Sequence, residues 1–151
     1  MWLMRIVIIV CLIHLLTSCS DTNLALSLES RNGLKYEINS VTPFTGKYIT
    51  YFKNGQMQTE WNFTNGKENG LATWWHENGL KKLEEKYKFG EKTGLRTEWD
   101  ENGRKQSEQN YKYGRRNGLM ITWDTDGNIT SVKTYKNGVL AKKAGLKYGL
   151  Y

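Results

Sequence analysis

Gly70-Leu71-Ala72-Thr73-Trp74-Trp75-His76-Glu77-Asn78-Gly79, followed by Tyr87, Gly90 and Gly94, decides the fold, because this frame is written four times between Gly46 and Asn137. Gly46, Gly70, Gly94 and Gly118 stand 24 residues apart, as do Gly55, Gly79, Gly103 and Gly127, and again Gly66, Gly90, Gly114 and Gly138. Tyr51, Trp75, Trp99 and Trp123 keep the same step, and so do Phe63, Tyr87, Tyr111 and Tyr135. Columns in such register exceed what composition produces, so the chain reads first as a repeat array.

Each unit reads as a β-hairpin. Leu71, Thr73 and Trp75 alternate with Ala72, Trp74 and His76, the period-two pattern of a strand, and Leu95, Thr97 and Trp99 or Leu119, Ile121 and Trp123 repeat it. Asn54-Gly55, Asn78-Gly79, Asn102-Gly103 and Asp126-Gly127 then predict a tight tip, either a type I′ turn or a type I turn with a glycine bulge. The return strand ends on the Phe/Tyr column, and a second glycine pair, such as Gly90 and Gly94, leads into the next unit. Two strands per unit advance a sheet by about 10 Å, so four units predict an all-β, elongated, twisted antiparallel meander roughly 40 Å long. Twist and rolling are expected to gather both aromatic columns on one concave side as the core: Tyr51, Trp75, Trp99, Trp123, Phe63, Tyr87, Tyr111 and Tyr135.

Ahead of the array, Leu24, Leu26 and Leu28 alternate with smaller or polar residues, Asn32-Gly33 supplies a turn, and Leu34, Tyr36 and Ile38 alternate again. This predicts a leading hairpin, off the 24-residue register, that caps the first repeat's open edge. Further upstream, Arg5 precedes an apolar run from Ile6 to Leu16 that is too short to span a bilayer and reads as a secretory signal. Leu16-Thr17-Ser18-Cys19 resembles the bacterial lipobox, which implies cleavage before Cys19 and acylation of that residue. Two or three acyl chains make such anchoring stable, since each buried methylene contributes ~0.8 kcal/mol. Ser20, where an inner-membrane retention signal would place aspartate, favours the outer membrane of a bacterial cell envelope by the same resemblance.

The chain thus divides into a signal peptide (1–18), a tether (19–23), a cap hairpin with lead-in loop (24–45), repeats 46–69, 70–93, 94–117 and 118–141, and a C-terminal cap segment (142–151). Cys11 leaves with the signal and Cys19 is acylated, so no thiol remains for a disulfide or metal site. The net charge of +7, less the charge of Arg5, leaves +6, with Lys and Arg interspersed among Glu and Asp as on a solvated sheet surface. After processing His76 is the only histidine, which leaves a His-based triad or metal site without a second member. The glycines lack the lysine and helix of a phosphate-binding loop. The expectation is therefore a non-enzyme without cofactor, nucleic acid or small-molecule substrate. Its membrane contact runs through Cys19, and its partner is a protein met by the face that varies between copies, where Tyr48, Phe52, Trp74 and His76 stand.

The frame G-L-x-x-x-W-x-x-N-G-(x)10-Y-x-x-G-x-x-x-G, with Thr42-Pro43-Phe44-Thr45-Gly46 before it, resembles the MORN repeat in its bacterial variant form, grouped with the YwqK-type antitoxin family. The resemblance spans Thr42 to about Gly138. It implies a meander of hairpins without catalytic residues, used for protein interaction or as a scaffold. It also implies, as an alternative, neutralisation of a partner toxin, and the basic side chains offer a third choice, binding to a phospholipid surface.

Overall fold

The computed structural model describes residues 26–144. The signal, Cys19 and the tether therefore lie outside the described residues, as do residues 145–151 of the C-terminal cap. Strands β1 (Leu28–Arg31) and β2 (Leu34–Glu37) form the leading hairpin, and β3 (Gly46–Tyr51) and β4 (Met57–Thr64) the first repeat. The short β5 (Lys67–Glu68) leads into β6 (Gly70–Trp75) and β7 (Lys81–Lys88), and β8 (Glu91–Lys92) into β9 (Gly94–Trp99) and β10 (Lys105–Lys112). The last unit runs through β11 (Arg115–Trp123) and β12 (Ile129–Lys136), and β13 (Val139–Ala144) follows. All are antiparallel neighbours in an 11-stranded sheet ordered β13-β12-β11-β10-β9-β7-β6-β4-β3, with β5 on β4 and β8 on β7, apart from β1–β2, which pair only with each other in a ladder. The all-β meander is as the repeat predicts, and the sheet does not close on itself.

The two kinds of turn differ. At each tip the glycine alone has positive φ, between 78° and 85°. Gly79 N–H donates to His76 O and His76 N–H to Leu80 O, an arrangement repeated at Phe52, Asp100 and Asp124. This is the type I turn with a glycine bulge. The type I′ geometry falls at the connections between units, where Asn65-Gly66, Phe89-Gly90, Tyr113-Gly114 and Asn137-Gly138 have positive φ at both residues. Glu91 and Lys92, expected as part of that turn, already pair back onto β7.

The expectation that both aromatic columns share one side is wrong, and the reason is local. Trp75 pairs with Lys81 but Trp74 with Leu83, so one extra residue is inserted in the return strand beside every tip, with equivalent shifts at Thr50/Tyr51, Lys105/Ser107 and Thr122/Trp123. A one-residue insertion turns the return strand over. Tyr87 therefore lies across from Gly70 on the face of Ala72 and Trp74, opposite the face of Leu71, Thr73 and Trp75. That first face holds the buried Phe63, Ala72, Glu85, Ser107 and Gln109, whereas the second buries only Thr73 and Thr97 among the described residues. Of the predicted core, Phe63 is buried, Trp75, Trp99, Trp123, Tyr87, Tyr111 and Tyr135 are intermediate, and Tyr51 is exposed.

The leading hairpin likewise does something other than capping β3. No ladder joins it to that strand. Lys35 N–H donates to Gly66 O (2.8 Å), Phe44 N–H to Lys35 O (2.8 Å) and Gly66 N–H to Phe44 O (2.7 Å). The last of these repeats at Gly90 to Glu68, Gly114 to Lys92 and Gly138 to Arg116, so Lys35 and Phe44 stand in for the end of a preceding unit. A Cβ on Gly66 would lie 2.9 Å from Leu34 Cβ and from Lys35 O, whereas one on Gly114 would meet nothing within 4 Å. Both glycines are left-handed, with φ of 75° and 72°. Gly114→Ala should thus cost about 1 kcal/mol, the backbone penalty alone, and Gly66→Ala roughly 3 kcal/mol because the hairpin must also move. Urea unfolding midpoints of the two variants check this, and equal losses would contradict the docking of the hairpin.

Candidate interaction surface

The more buried face has two halves of different chemistry. Near the amino-terminal end, Trp61 meets Trp74 edge-on at 4.7 Å between ring centroids and lies 5.7 Å from Tyr87 and 6.3 Å from Phe63. Phe44, from the lead-in loop, covers Phe63 at 5.9 Å. Edge and tilted contacts at these distances suit the ring quadrupoles, so the cluster is a core rather than a free patch. The leading hairpin flanks it: Leu28, Lys35, Tyr48, Trp61, Phe63 and Glu68 line a cleft of about 300 Å³.

Beyond Trp74 the same face becomes polar. The carboxylate of Glu85, almost wholly buried, accepts from Tyr87 Oη (2.6 Å), Lys92 Nζ (3.0 Å) and Arg96 Nε (2.7 Å). Arg96 also donates to Glu98, whose second oxygen accepts from Ser107 Oγ. Burial alone would raise the carboxyl of Glu85, but the donors from Tyr87, Lys92 and Arg96 outweigh it and hold the group below the usual glutamate range. Donation from Arg96 holds Glu98 low as well. Burial, then the bond to Glu85, pushes the Tyr87 hydroxyl up. This network replaces the expected apolar core in the middle of the sheet. Its members come from two successive units, the second and the third, so it ties these neighbours together.

The four residues expected to meet a partner are divided by the structure. Trp74 is inside the aromatic cluster. Tyr48 lines the cleft under the hairpin. His76 and Phe52 begin tip turns, and His76 Nε2 is 3.0 Å from Trp99 O in the next unit. Asn54 Nδ2 to Glu77 O, Asn78 Nδ2 to Glu101 O and Arg104 Nη1 to Thr125 O make parallel links along this rim, so its polar residues join units to one another. Where the tip turn begins with aspartate, Asp100 and Asp124 accept turn amides two and four residues on, from Asn102 and Arg104 or Asp126 and Asn128. Backbone donation from Arg104 and Asn128 holds these carboxyls below their ordinary range. Among the described residues no three of His, Cys, Asp and Glu converge as a metal-binding group.

Residues 44–65, 92–113 and 116–137 match the model of the MORN repeat variant. Three of the four units thus match as MORN repeats. Each matched stretch begins at the carbonyl that receives the next glycine amide and ends at the first left-handed residue of the connecting turn, and the second unit has the same strands and turns. No curated protein matches the sequence. Among solved structures, a chain from "Crystal structure of GtfA/B complex bound to UDP and GlcNAc" is similar at 10% identity and a TM-score of 0.28, over 72% of this chain and 19% of that one. This chain spans about a fifth of that chain's length, and a score so low carries no argument.

MORN repeats are generally protein- or membrane-interaction modules, and the geometry shows which parts of this array stay open. Leu71, Leu95 and Leu119, at the same place in successive MORN units, are 43%, 45% and 48% exposed on the less buried face. Trp99 and Trp123 lie beside them under Lys81 and Lys105, whose ammonium groups are 5.9 and 5.5 Å from the ring centroids. The two rims carry opposite charge. The tips hold Glu77, Asp100, Glu101, Asp124 and Asp126 against Lys53 and Arg104, whereas the connecting turns hold Lys67, Lys88, Lys92, Lys112, Arg115, Arg116 and Lys136 against Glu68 and Glu91. Along the chain these charges are interspersed, but the meander sorts them to opposite ends of the strands.

On the basic rim, Phe89 (φ 52°) and Tyr113 (φ 50°) occupy the left-handed position that Asn65 and Asn137 fill in the first and last MORN units. A side chain other than asparagine or glycine costs about 1–2 kcal/mol there. Both rings are solvent-facing, 61% and 73% exposed. The substitution of Lys-Phe-Gly and Lys-Tyr-Gly for an Asn-Gly turn was visible in the sequence and is its clearest unused signal.

The Glu85 network gives a pH signature. Its folded carboxyl titrates lower than in the unfolded chain, so the unfolded state binds protons more readily, and the stabilisation is complete above about pH 5 and lost as pH falls through the folded value. Glu85→Gln should lower stability at neutral pH by about 3 kcal/mol, since Arg96 and Lys92 lose a buried counter-charge, and should flatten the loss that sets in as pH falls below about 5. Urea titrations at stepped pH read both effects.

Proposed function

We propose that this MORN-repeat protein is a non-catalytic, lipid-anchored component of a bacterial envelope whose open sheet face binds a protein partner. The ladder of Leu71, Leu95 and Leu119 carries the reading. A single-layer sheet has no second layer to cover both faces, and here the face that repeats is the one left open. Apolar residues repeated at a step of about 10 Å suit an extended protein surface, because each unit offers the same foothold. The apolar patch also fits what distinguishes interaction sites from ordinary surfaces. Attachment through Cys19, with the outer membrane favoured by Ser20, would hold this face close to the bilayer.

A photo-crosslinking residue placed at Leu95 in the native host should yield one dominant protein adduct, and the same residue at Asp126 on the acidic rim should not. Absence of an adduct at Leu95, or equal labelling from Asp126, would remove the basis for a binding face. If the captured protein is a toxin from which this chain protects, the antitoxin role implied by the family label is the specific form of the binding. Separately, Cys19→Ala should abolish incorporation of labelled palmitate and release the chain from membranes; persistent labelling would sink the anchor.

A further inference from the structure

We propose that the slot between Phe89 and Tyr113, on the basic rim, is a recognition point for a polypeptide segment bearing an apolar side chain flanked by carboxylates. The two residues close successive connecting turns, and with Lys88, Glu91, Lys92 and Thr93 they line a cavity of about 300 Å³. Beyond one exposed lysine contact each, the folded chain gains little from these rings that an asparagine would not supply more cheaply, since they are exposed and their backbones are left-handed. Strained positions kept with exposed aromatic side chains mark sites where the side chain has another use. Exposed aromatics are also the residues most enriched among binding anchors.

The partner's chemistry follows from what surrounds the rings. Lys88 Nζ stands 5.9 Å from the Phe89 centroid and Lys112 Nζ 5.4 Å from that of Tyr113, so each aromatic wall carries a cation. Lys92 also lines the slot but is paired with Glu85, so Lys88 and Lys112 are the cations left to a partner, with the carboxylate of Glu91 between the walls and that of Glu68 beside Gly90. Such a field steers acidic segments and rejects basic ones. The recess between two aromatic walls takes a side chain, whereas a flat anionic bilayer would meet the turn crests and the charge of Glu91. This choice rests on the reading of the protein as a protein-interaction module, at a site separate from the leucine ladder.

The test pairs binding with stability in the full-length chain held in detergent micelles. The probe is a labelled peptide with one tryptophan flanked by aspartates and glutamates, read by fluorescence anisotropy. Phe89→Asn combined with Tyr113→Asn should weaken binding by at least about tenfold and raise the urea midpoint, because asparagine relieves both left-handed turns. Replacing the peptide's tryptophan by serine, or its acids by lysines, should weaken binding to a similar degree. Unchanged binding in the double variant, or a lowered midpoint showing that the rings serve the fold, would overturn the proposal. So would no peptide binding, or displacement of the peptide by phosphatidylglycerol vesicles that bind through the same two residues. In those cases an intact crosslink at Leu95 would leave the interaction reading standing, and loss of both would end it.

Discussion

Every unit of this array hangs on one backbone hydrogen bond, from the amide of Gly66, Gly90, Gly114 or Gly138 to the carbonyl 22 residues earlier. That bond closes each connection between hairpins onto the connection before it. It needs a type I′ turn, which needs positive φ at two consecutive residues, and the second of these is glycine in all four places. The leading hairpin is recruited by the same bond, through Phe44 and Lys35, so the first unit begins as though another preceded it. The array is therefore held along its rims by short links between neighbours, in keeping with a repeat protein whose units contact only those beside them.

A single-layer sheet must divide its side chains between two faces with little to cover either. Here the division is uneven. One face collects an aromatic cluster under the hairpin and then a chain of ionic and amide groups, in which Glu85 is surrounded by three donors. Such a network is costly if a member is missing and specific if complete, so it fixes the register between the second and third units more sharply than apolar contact would. Gln109 lies buried farther along the same face, its amide nitrogen bonded to the Asn110 carbonyl. The other face keeps the leucine and tryptophan columns, partly shielded by the lysine stems of Lys81 and Lys105.

Where the copies agree, they serve the hydrogen-bonded frame, and also leave a periodic apolar ladder open. Where they disagree, the differences are of two kinds. His76 against Asp100 and Asp124 is an exchange of one turn-closing or unit-joining bond for another. Phe89 and Tyr113 against Asn65 and Asn137 is an exchange of a comfortable turn residue for a strained one with a free ring. The second kind returns no more than an exposed lysine contact to each ring, which separates it from variation that merely re-satisfies the same turn.

The sequence by itself determined the repeat length, the strands of each hairpin, the glycine turns and the antiparallel order, because these depend on local φ preferences and on alternation within one strand. It could not determine which columns share a face. Parity within a strand is fixed by the pleat, but parity across a tip turns on the single inserted residue opposite Trp75 and its equivalents, which has no residue signature of its own. For the same reason the core on one face, the open ladder on the other, and the Glu85 network joining two units emerged only in the folded sheet. The segregation of charge was also decided there, since residues adjacent in sequence end at opposite ends of the strands once the chain has doubled back.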